Sequence, residues 1–99
     1  MGIKYTREYR DIITELTEAV MKVEDYFSFL EMDAEDWNRL KENQRLECTR
    51  TLSDDIFYAL GTDPSFEIGE GSVKYIKGKS IIEVYNKDIC VGTIRLVES

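Results

Sequence analysis

The sequence predicts a small α+β domain in which helices come first and an antiparallel sheet follows. Apolar residues recur every three or four positions up to Pro64, and four short segments rich in β-branched and aromatic residues come after it. Charge divides the chain at the same place, because residues 1–64 contain 8 Lys and Arg against 15 Asp and Glu, whereas residues 65–99 contain 5 of each. We expect one domain, residues 1–99, with an acidic helical half (1–64) and a neutral sheet half (65–99).

The first helix is predicted from a long apolar stripe. At roughly 100° per residue, the stripe falls within a sector about 140° wide. Its members are Tyr5, Tyr9, Ile12, Ile13, Leu16, Ala19, Val20, Val23, Tyr26, Phe27 and Leu30. The stripe predicts a helix that ends near Met32 and packs one face on the core. Met21, Phe29 and Met32 project away from that face.

The second helix is predicted to begin at Ala34. Asp33 is its expected N-cap, because an acid follows three residues later and the first turn then holds several carboxylates. The apolar face of this helix consists of Trp37, Leu40, Gln44, Cys48, Leu52, Ile56 and Ala59. A second capping signal at residues 53–56 leaves open either one helix or two helices divided near Thr51. Gly61 is expected to end the segment as a left-handed cap, and Pro64 prevents its continuation.

Strands are predicted over residues 65–68, 72–76, 80–85 and 89–97, with turns short enough to form hairpins. One face of this meander would carry Ile82, Val84, Cys90, Ile94 and Leu96. The other face carries Ile81, Glu83, Tyr85, Val91, Thr93 and Arg95, which is too mixed for a second core. We therefore expect the two helices to pack on one face of the four-stranded antiparallel meander. Gly92 is expected to mark a bulge or the close approach of a helix.

A difference in length bears on assembly. An unbroken first helix of about 26 residues would span about 39 Å, whereas a strand of about seven residues spans about 23 Å. The overhanging apolar stripe would need cover from the second helix or from another subunit. A monomer and a homodimer both remain open.

Several classes of function are disfavoured by composition. The chain has no His, and Cys48 and Cys90 lack Cys-x-x-Cys spacing, so we expect no metal or cofactor and no Cys nucleophile. Each thiol is expected to be a small buried hydrophobe. No segment has the apolar length of a signal peptide or a membrane span, which favours a cytoplasmic location away from membranes.

Two alternatives to a binding role stay open, and a third is not expected. A carboxylate-dependent metal hydrolase could use Asp54, Asp55 and Glu83, although the spacing does not bring them together. A purely structural homo-oligomer is the other alternative. Direct nucleic-acid binding is not expected, because the few lysines of the sheet half oppose a helical half of charge −7.

The residues that favour partner binding lie where the first helix gives way to the second. They combine four carboxylates with aromatic and thioether side chains, and they are Phe29, Glu31, Met32, Asp33, Glu35, Asp36 and Trp37. Aromatic anchors within an acidic rim are typical of compact interfaces, and the acids speed docking onto a basic partner. In a competing interpretation, Trp37 packs in the core and the acids only cap a helix.

The sequence therefore predicts a small acidic, non-enzymatic interaction or regulatory module whose partner is a protein with a basic surface. One form is an inhibitor that presents its carboxylates in place of phosphate groups, and the other is an ordinary adaptor. The size and the element order are typical of small proteins of bacteria and their phages. Salt dependence of binding distinguishes the two forms, since ionic contacts weaken as salt rises.

Overall fold

The computed structural model describes residues 3–98. Its elements are α1 (Tyr9–Val20), a 3₁₀ helix (Tyr26–Leu30), α2 (Ala34–Arg39), α3 (Glu42–Leu60), β1 (Ser65–Ile68), β2 (Gly71–Ile76), a 3₁₀ turn (Lys77–Lys79), β3 (Ile81–Asn86) and β4 (Ile89–Arg95). The strands pair antiparallel in the order β1-β2-β3-β4. The predicted α+β class and the meander are confirmed.

The core lies between the sheet and a layer formed by α1 and α3. Its most completely buried side chains are at most 2% exposed and come from both layers: Ile12, Leu16, Val20, Val23, Leu52, Ile56, Leu60, Ile68, Val73, Ile82, Val84, Ile94 and Leu96. Between the two helices, the hydroxyl oxygens of Thr17 and Ser53 lie 2.9 Å apart. As expected, the helices cover one face of the sheet.

The first helix is shorter than predicted, because α1 ends at Val20 and does not continue to Met32. A few residues later the N–H of Glu24 donates to Oδ1 of Asn86 at 3.1 Å, and the carbonyl of Glu24 accepts from the N–H of Glu70 at 2.9 Å. The turn between β1 and β2 and the end of β3 thus hold this segment. Because the N–H and the C=O of Glu24 bond to the sheet, they are not available for hydrogen bonds within a helix, and the helix does not continue through this residue.

The shorter helix removes the reason given for a homodimer. Twelve residues of α1 span about 18 Å, which does not exceed the length of a strand of the sheet. The apolar stripe still faces inward after α1, since Val23 and Tyr26 are buried. Within residues 3–98, α1 therefore leaves no apolar overhang of the predicted kind for a second subunit to cover.

The second helical segment is divided at residues 40–41, so neither alternative left open by the sequence, one unbroken helix or a division near Thr51, is correct. Both residues of the break have extended dihedrals, and α3 then continues without interruption through Thr51. The side chain of Gln44 accepts from the N–H of Lys41 at 2.9 Å, which caps the start of α3. At the other end, Gly61 has φ −68° and ψ −22°, so the expected left-handed cap is wrong as well.

The assignment of Cys90 to the helix-facing side of the sheet is wrong because β4 contains a bulge. Val84 pairs with Gly92, but Tyr85 pairs with Cys90, so Val91 has no partner residue in the register. Since side chains alternate along a strand, this shift turns Cys90 to the open face. The prediction assumed strict alternation of side chains along β4, and an inserted residue breaks that alternation.

Gly92 lies where α1 crosses β4. A Cβ on Gly92 would be 2.6 Å from Cβ of Ala19, so the expected close approach of a helix is confirmed. The two thiols are less buried than expected. Cys48 is half-buried on α3, and Cys90 is exposed.

Candidate interaction surface

The residues predicted to bind a partner lie on the 3₁₀ helix, on the link after it and on α2. Asp25 and Glu31 flank the 3₁₀ helix with left-handed dihedrals, φ 59° and 60°. Non-glycine residues adopt this conformation rarely, and a residue in it cannot continue a right-handed helix. The 3₁₀ helix is therefore a separate turn and not a continuation of α1 or α2.

Trp37 is a buried residue, 5% exposed, and not a surface anchor. Its indole stacks on Phe27 with ring centroids 5.3 Å apart and an interplanar angle of 9°. Tyr26 meets the same indole edge-on, with the centroids 5.5 Å apart, and its hydroxyl lies 3.4 Å from that of Thr49 on α3. Through these ring contacts and the contact with Thr49, α2 and the 3₁₀ helix pack against the helical layer.

Phe29 is the aromatic residue of the predicted set that remains accessible, at 49% exposure. Its ring packs against Phe66 of β1, with the centroids 5.2 Å apart and tilted by 59°. Met32 is half-buried and packs against the core. Sequence reasoning missed Phe66, although the two-residue period of β1 places it on the same side of the strand as buried Ile68.

The four carboxylates of the predicted set have different roles. Oδ1 of Asp33 accepts from the N–H of Asp36 at 2.8 Å, which confirms Asp33 as the N-cap of α2. Glu35 pairs with Arg39 at 2.8 Å, and both side chains are more than two-thirds exposed, so this ion pair contributes little stability. Among residues 3–98, Glu31 and Asp36 form no ion pair. Those two carboxylates are available to a partner.

A groove lies beside Trp37 on the α3 side. Met21, Trp37 and Arg45 are among its lining residues, and its volume is about 260 Å³. Met21 is 43% exposed there, so this off-stripe side chain is not covered by the fold. Glu42 and Arg45 bring one charge of each sign to the groove.

The carboxylates of the metal-hydrolase alternative do not meet. Asp54, on α3, accepts from the hydroxyl of Tyr9 at 2.8 Å, whereas Glu83 lies on the open face of the sheet and accepts from the hydroxyl of Tyr85 at 3.1 Å. Burial, together with the bond to Asp54, raises the pKa of Tyr9 to about 12. In the part of the chain that the structure describes, no three His, Cys, Asp or Glu side chains lie close enough to hold a metal ion.

Comparisons with known proteins identify no relative. No protein-family model matches the sequence, and it has no match among curated proteins or solved structures. Between residues 3 and 98, no helix combines the length and the apolar character needed to cross a membrane. The chemistry of its own surface is what indicates how this chain could act.

Proposed function

We propose that the protein is a small acidic, non-enzymatic interaction or regulatory module that docks on a basic partner protein. The docking site would be the Phe29 surface, which we define as Phe29, Phe66, Glu31, Asp33 and Asp36. One observation carries the proposal. The ring of Phe29 is half exposed and packs on the ring of Phe66, and the same segment contains carboxylates that form no ion pair with a basic side chain of residues 3–98.

The geometry of Phe29 suits an anchor residue. A ring that already packs on Phe66 loses little side-chain freedom on binding, and it can bury its remaining exposed half in a partner. Glu31 and Asp36 would then pair with Lys or Arg of the partner at the rim. The −7 charge of the helical half adds long-range attraction toward a basic surface.

The burial of Trp37 bears on the two forms left open by the sequence. An adaptor held by the indole would need Trp37 at the surface, where it is not. One phenyl ring and several carboxylates remain, and this balance supports the charge-dominated form, an inhibitor that occupies a phosphate-binding or otherwise basic site. Such a contact should weaken steeply as salt rises.

The proposal includes a cytoplasmic location, where the free thiols Cys48 and Cys90 would stay reduced. It also excludes direct binding of nucleic acid. On the open face of the sheet, Nζ of Lys74 lies 5.4 Å from the ring centroid of Tyr85, so a base would have to displace this contact before it could stack.

The decisive experiment is affinity capture from native lysate at low and high salt with three variants. Glu31→Gln with Asp36→Asn removes two charges from the Phe29 surface, and Phe29→Ala removes its ring. Glu18→Gln with Glu47→Gln is the matched control, because it removes the same charge from exposed positions elsewhere.

We expect wild type and the control to retain one stoichiometric partner at low salt. The other two variants should bind that partner about tenfold more weakly or worse, since each lost anchor contributes at least about 1.4 kcal/mol. Equal retention by all variants would refute the Phe29 surface. Capture of no protein at any salt would refute the interaction module itself.

We also propose a second role, separate from the Phe29 surface: β4 of a second copy of this chain can pair with β4 and form a homodimer. This strand is the longest of the sheet and one of its two edges, and among residues 3–98 no strand pairs with its outer side, where the guanidinium of Arg7 donates to the carbonyl of Arg95 at 3.0 Å. Sedimentation at micromolar concentration should then show dimers, and Cys90→Ser should retain them, which separates strand pairing from a disulfide at exposed Cys90. Monomers only would contradict this proposal.

A further inference from the structure

A recess distinct from the Phe29 surface lies where α3 ends on the sheet. Its volume is about 510 Å³, within the range of about 300 to 1,000 Å³ that is typical of small-molecule sites. Leu60, Pro64 and Tyr75 supply apolar surface, and Lys4 and Lys77 lie at the same recess. The combination of an apolar wall with cationic groups limits the chemistry of a ligand.

The apolar wall is held in place by the fold. Leu60 is the last residue of α3 and is 2% exposed. The N–H of Tyr75 donates to the carbonyl of Pro64 at 2.8 Å, which ties the link after α3 to β2. Tyr75 pairs across the sheet with Ile82, so its ring lies on the core side and packs at the margin of the core. The recess is therefore formed before any ligand binds.

The charge at the recess is opposite in sign to that of the chain as a whole. Lys4 and Lys77 are exposed, and within residues 3–98 neither ammonium group lies within ion-pair distance of a carboxylate. An ammonium group binds a carboxylate or a phosphate as a point charge. In a protein of net charge −7, two unpaired lysines beside an apolar wall select for an anion with an apolar body.

We infer that this recess binds a small amphipathic anion. Lys4 and Lys77 hold its carboxylate or phosphate group, and its apolar body covers Pro64 and Tyr75. The two anionic groups share this chemistry, and a comparison of ligands separates them. The inference does not depend on the Phe29 surface, since the two sites share no residue.

The test is a titration of the isotope-labelled full-length chain with octanoate, octyl phosphate and 1-octanol, followed by NMR of the backbone amides. We expect octanoate or octyl phosphate to shift the amides of residues 60–62 and 75–77 in a saturable way. The neutral alcohol, which has the same chain but no charge, should bind about tenfold more weakly or worse. The tighter of the two anions identifies the headgroup.

Variants make the outcome specific to the lysines. Lys4→Gln with Lys77→Gln should weaken binding of the anion about tenfold or more, with little effect on 1-octanol. Lys79→Gln is the matched control, because Lys79 lies on the same turn as Lys77 but does not line the recess, and its affinity should stay within about twofold of wild type.

Three results would overturn the inference. The first is binding of 1-octanol as tightly as of either anion, which would reduce the recess to an apolar patch. The second is an equal loss of affinity in the Lys79→Gln control. The third is the absence of saturable shifts at these amides with millimolar octanoate and octyl phosphate.

Discussion

Individual side chains in the segment from Phe29 to Trp37 are divided between packing and exposure. Trp37 is enclosed by Phe27 and Tyr26, and Asp33 is engaged by the N–H of Asp36. Of the two interpretations that the sequence left open, the structure assigns Trp37 and Asp33 to packing and capping. Phe29 alone of the aromatic residues in this segment keeps about half of its surface in water. The proposed binding role therefore depends on Phe29 and on Glu31 and Asp36, which form no ion pair among residues 3–98.

The contribution of the capping hydrogen bond of Asp33 to stability can be measured separately from that of its negative charge. Asp33→Ala should destabilise the protein by about 1 kcal/mol, because the N–H of Asp36 loses its acceptor. Asp33→Asn should have a much smaller effect, since Asn is an equally good N-cap without the charge. The midpoint of urea unfolding measures both. An equal loss in the two variants would show that charge, not the hydrogen bond, sets the contribution.

Tyr9 gives the protein a predictable response to alkaline pH. Its pKa is raised from 10.0 to about 12, first by burial and then by the bond to Asp54, so the folded state favours the neutral phenol. The unfolded chain ionises first, and the stability that Tyr9 contributes is complete below pH 10.0 and is lost as pH rises to about 12.

The check is the free energy of unfolding in urea, measured at pH values below and within that window. Tyr9→Phe should flatten the decline relative to wild type. Tyr58→Phe is the control, because Tyr58 is 84% exposed. A decline of the same steepness in wild type and Tyr9→Phe would show that Tyr9 does not titrate in this way.

At the scale of the elements, contacts distant in sequence decide where the helices stop. The apolar stripe continues past Val20, yet Asn86 and Glu70 bind the peptide groups of Glu24 and end the helical pattern. The salt bridge between Lys87 and Glu24, 3.1 Å long, lies at the same junction. A helix boundary set by partners more than 40 residues away cannot be found from periodicity, which reports only the face that a segment buries.

The crossing of α1 over β4 depends on Gly92. Gly92→Ala would place a Cβ 2.6 Å from that of Ala19, and overpacking of this kind should destabilise the protein by about 1 to 3 kcal/mol. Adding Ala19→Gly should recover part of the loss, giving a favourable coupling in a double-mutant cycle measured by urea unfolding.

Gly78→Ala is the matched control for this crossing, because a Cβ on Gly78 would meet nothing within 4 Å. We expect its stability to stay close to that of wild type. Additive effects of the Gly92 and Ala19 substitutions would mean that the two positions are not in contact.

In the molecule as a whole, the excess negative charge is concentrated in one of the two layers. The helical layer carries the excess of acids, and the sheet half is neutral, so repulsion among carboxylates opposes the compact state mainly on one side. The few ion pairs among residues 3–98 do not offset this excess: Arg7 with Glu15, Glu35 with Arg39, and Glu24 with Lys87. The acidic side is also the side that would meet a basic partner.

Salt should therefore stabilise the protein. Raising sodium chloride from about 0.01 M to about 0.15 M shortens the Debye length from about 30 Å to about 8 Å and screens this repulsion, so the melting temperature should rise. Glu18→Gln with Glu47→Gln removes two of the repelling charges and should reduce the rise. A melting temperature that falls with salt would show that attractive ion pairs outweigh the repulsion.

Sequence patterns alone were enough to predict the α+β class, the order of the strands, the cap at Asp33 and the one-sided cover of the sheet. Each of these depends on local signals: a period of 3.6 or 2, a capping side chain, or a short turn. The end of α1 at Val20, the outward direction of Cys90 and the burial of Trp37 are set by the folded chain. These outcomes depend on hydrogen bonds, register and ring packing between segments far apart in the chain, which local periodicity does not record.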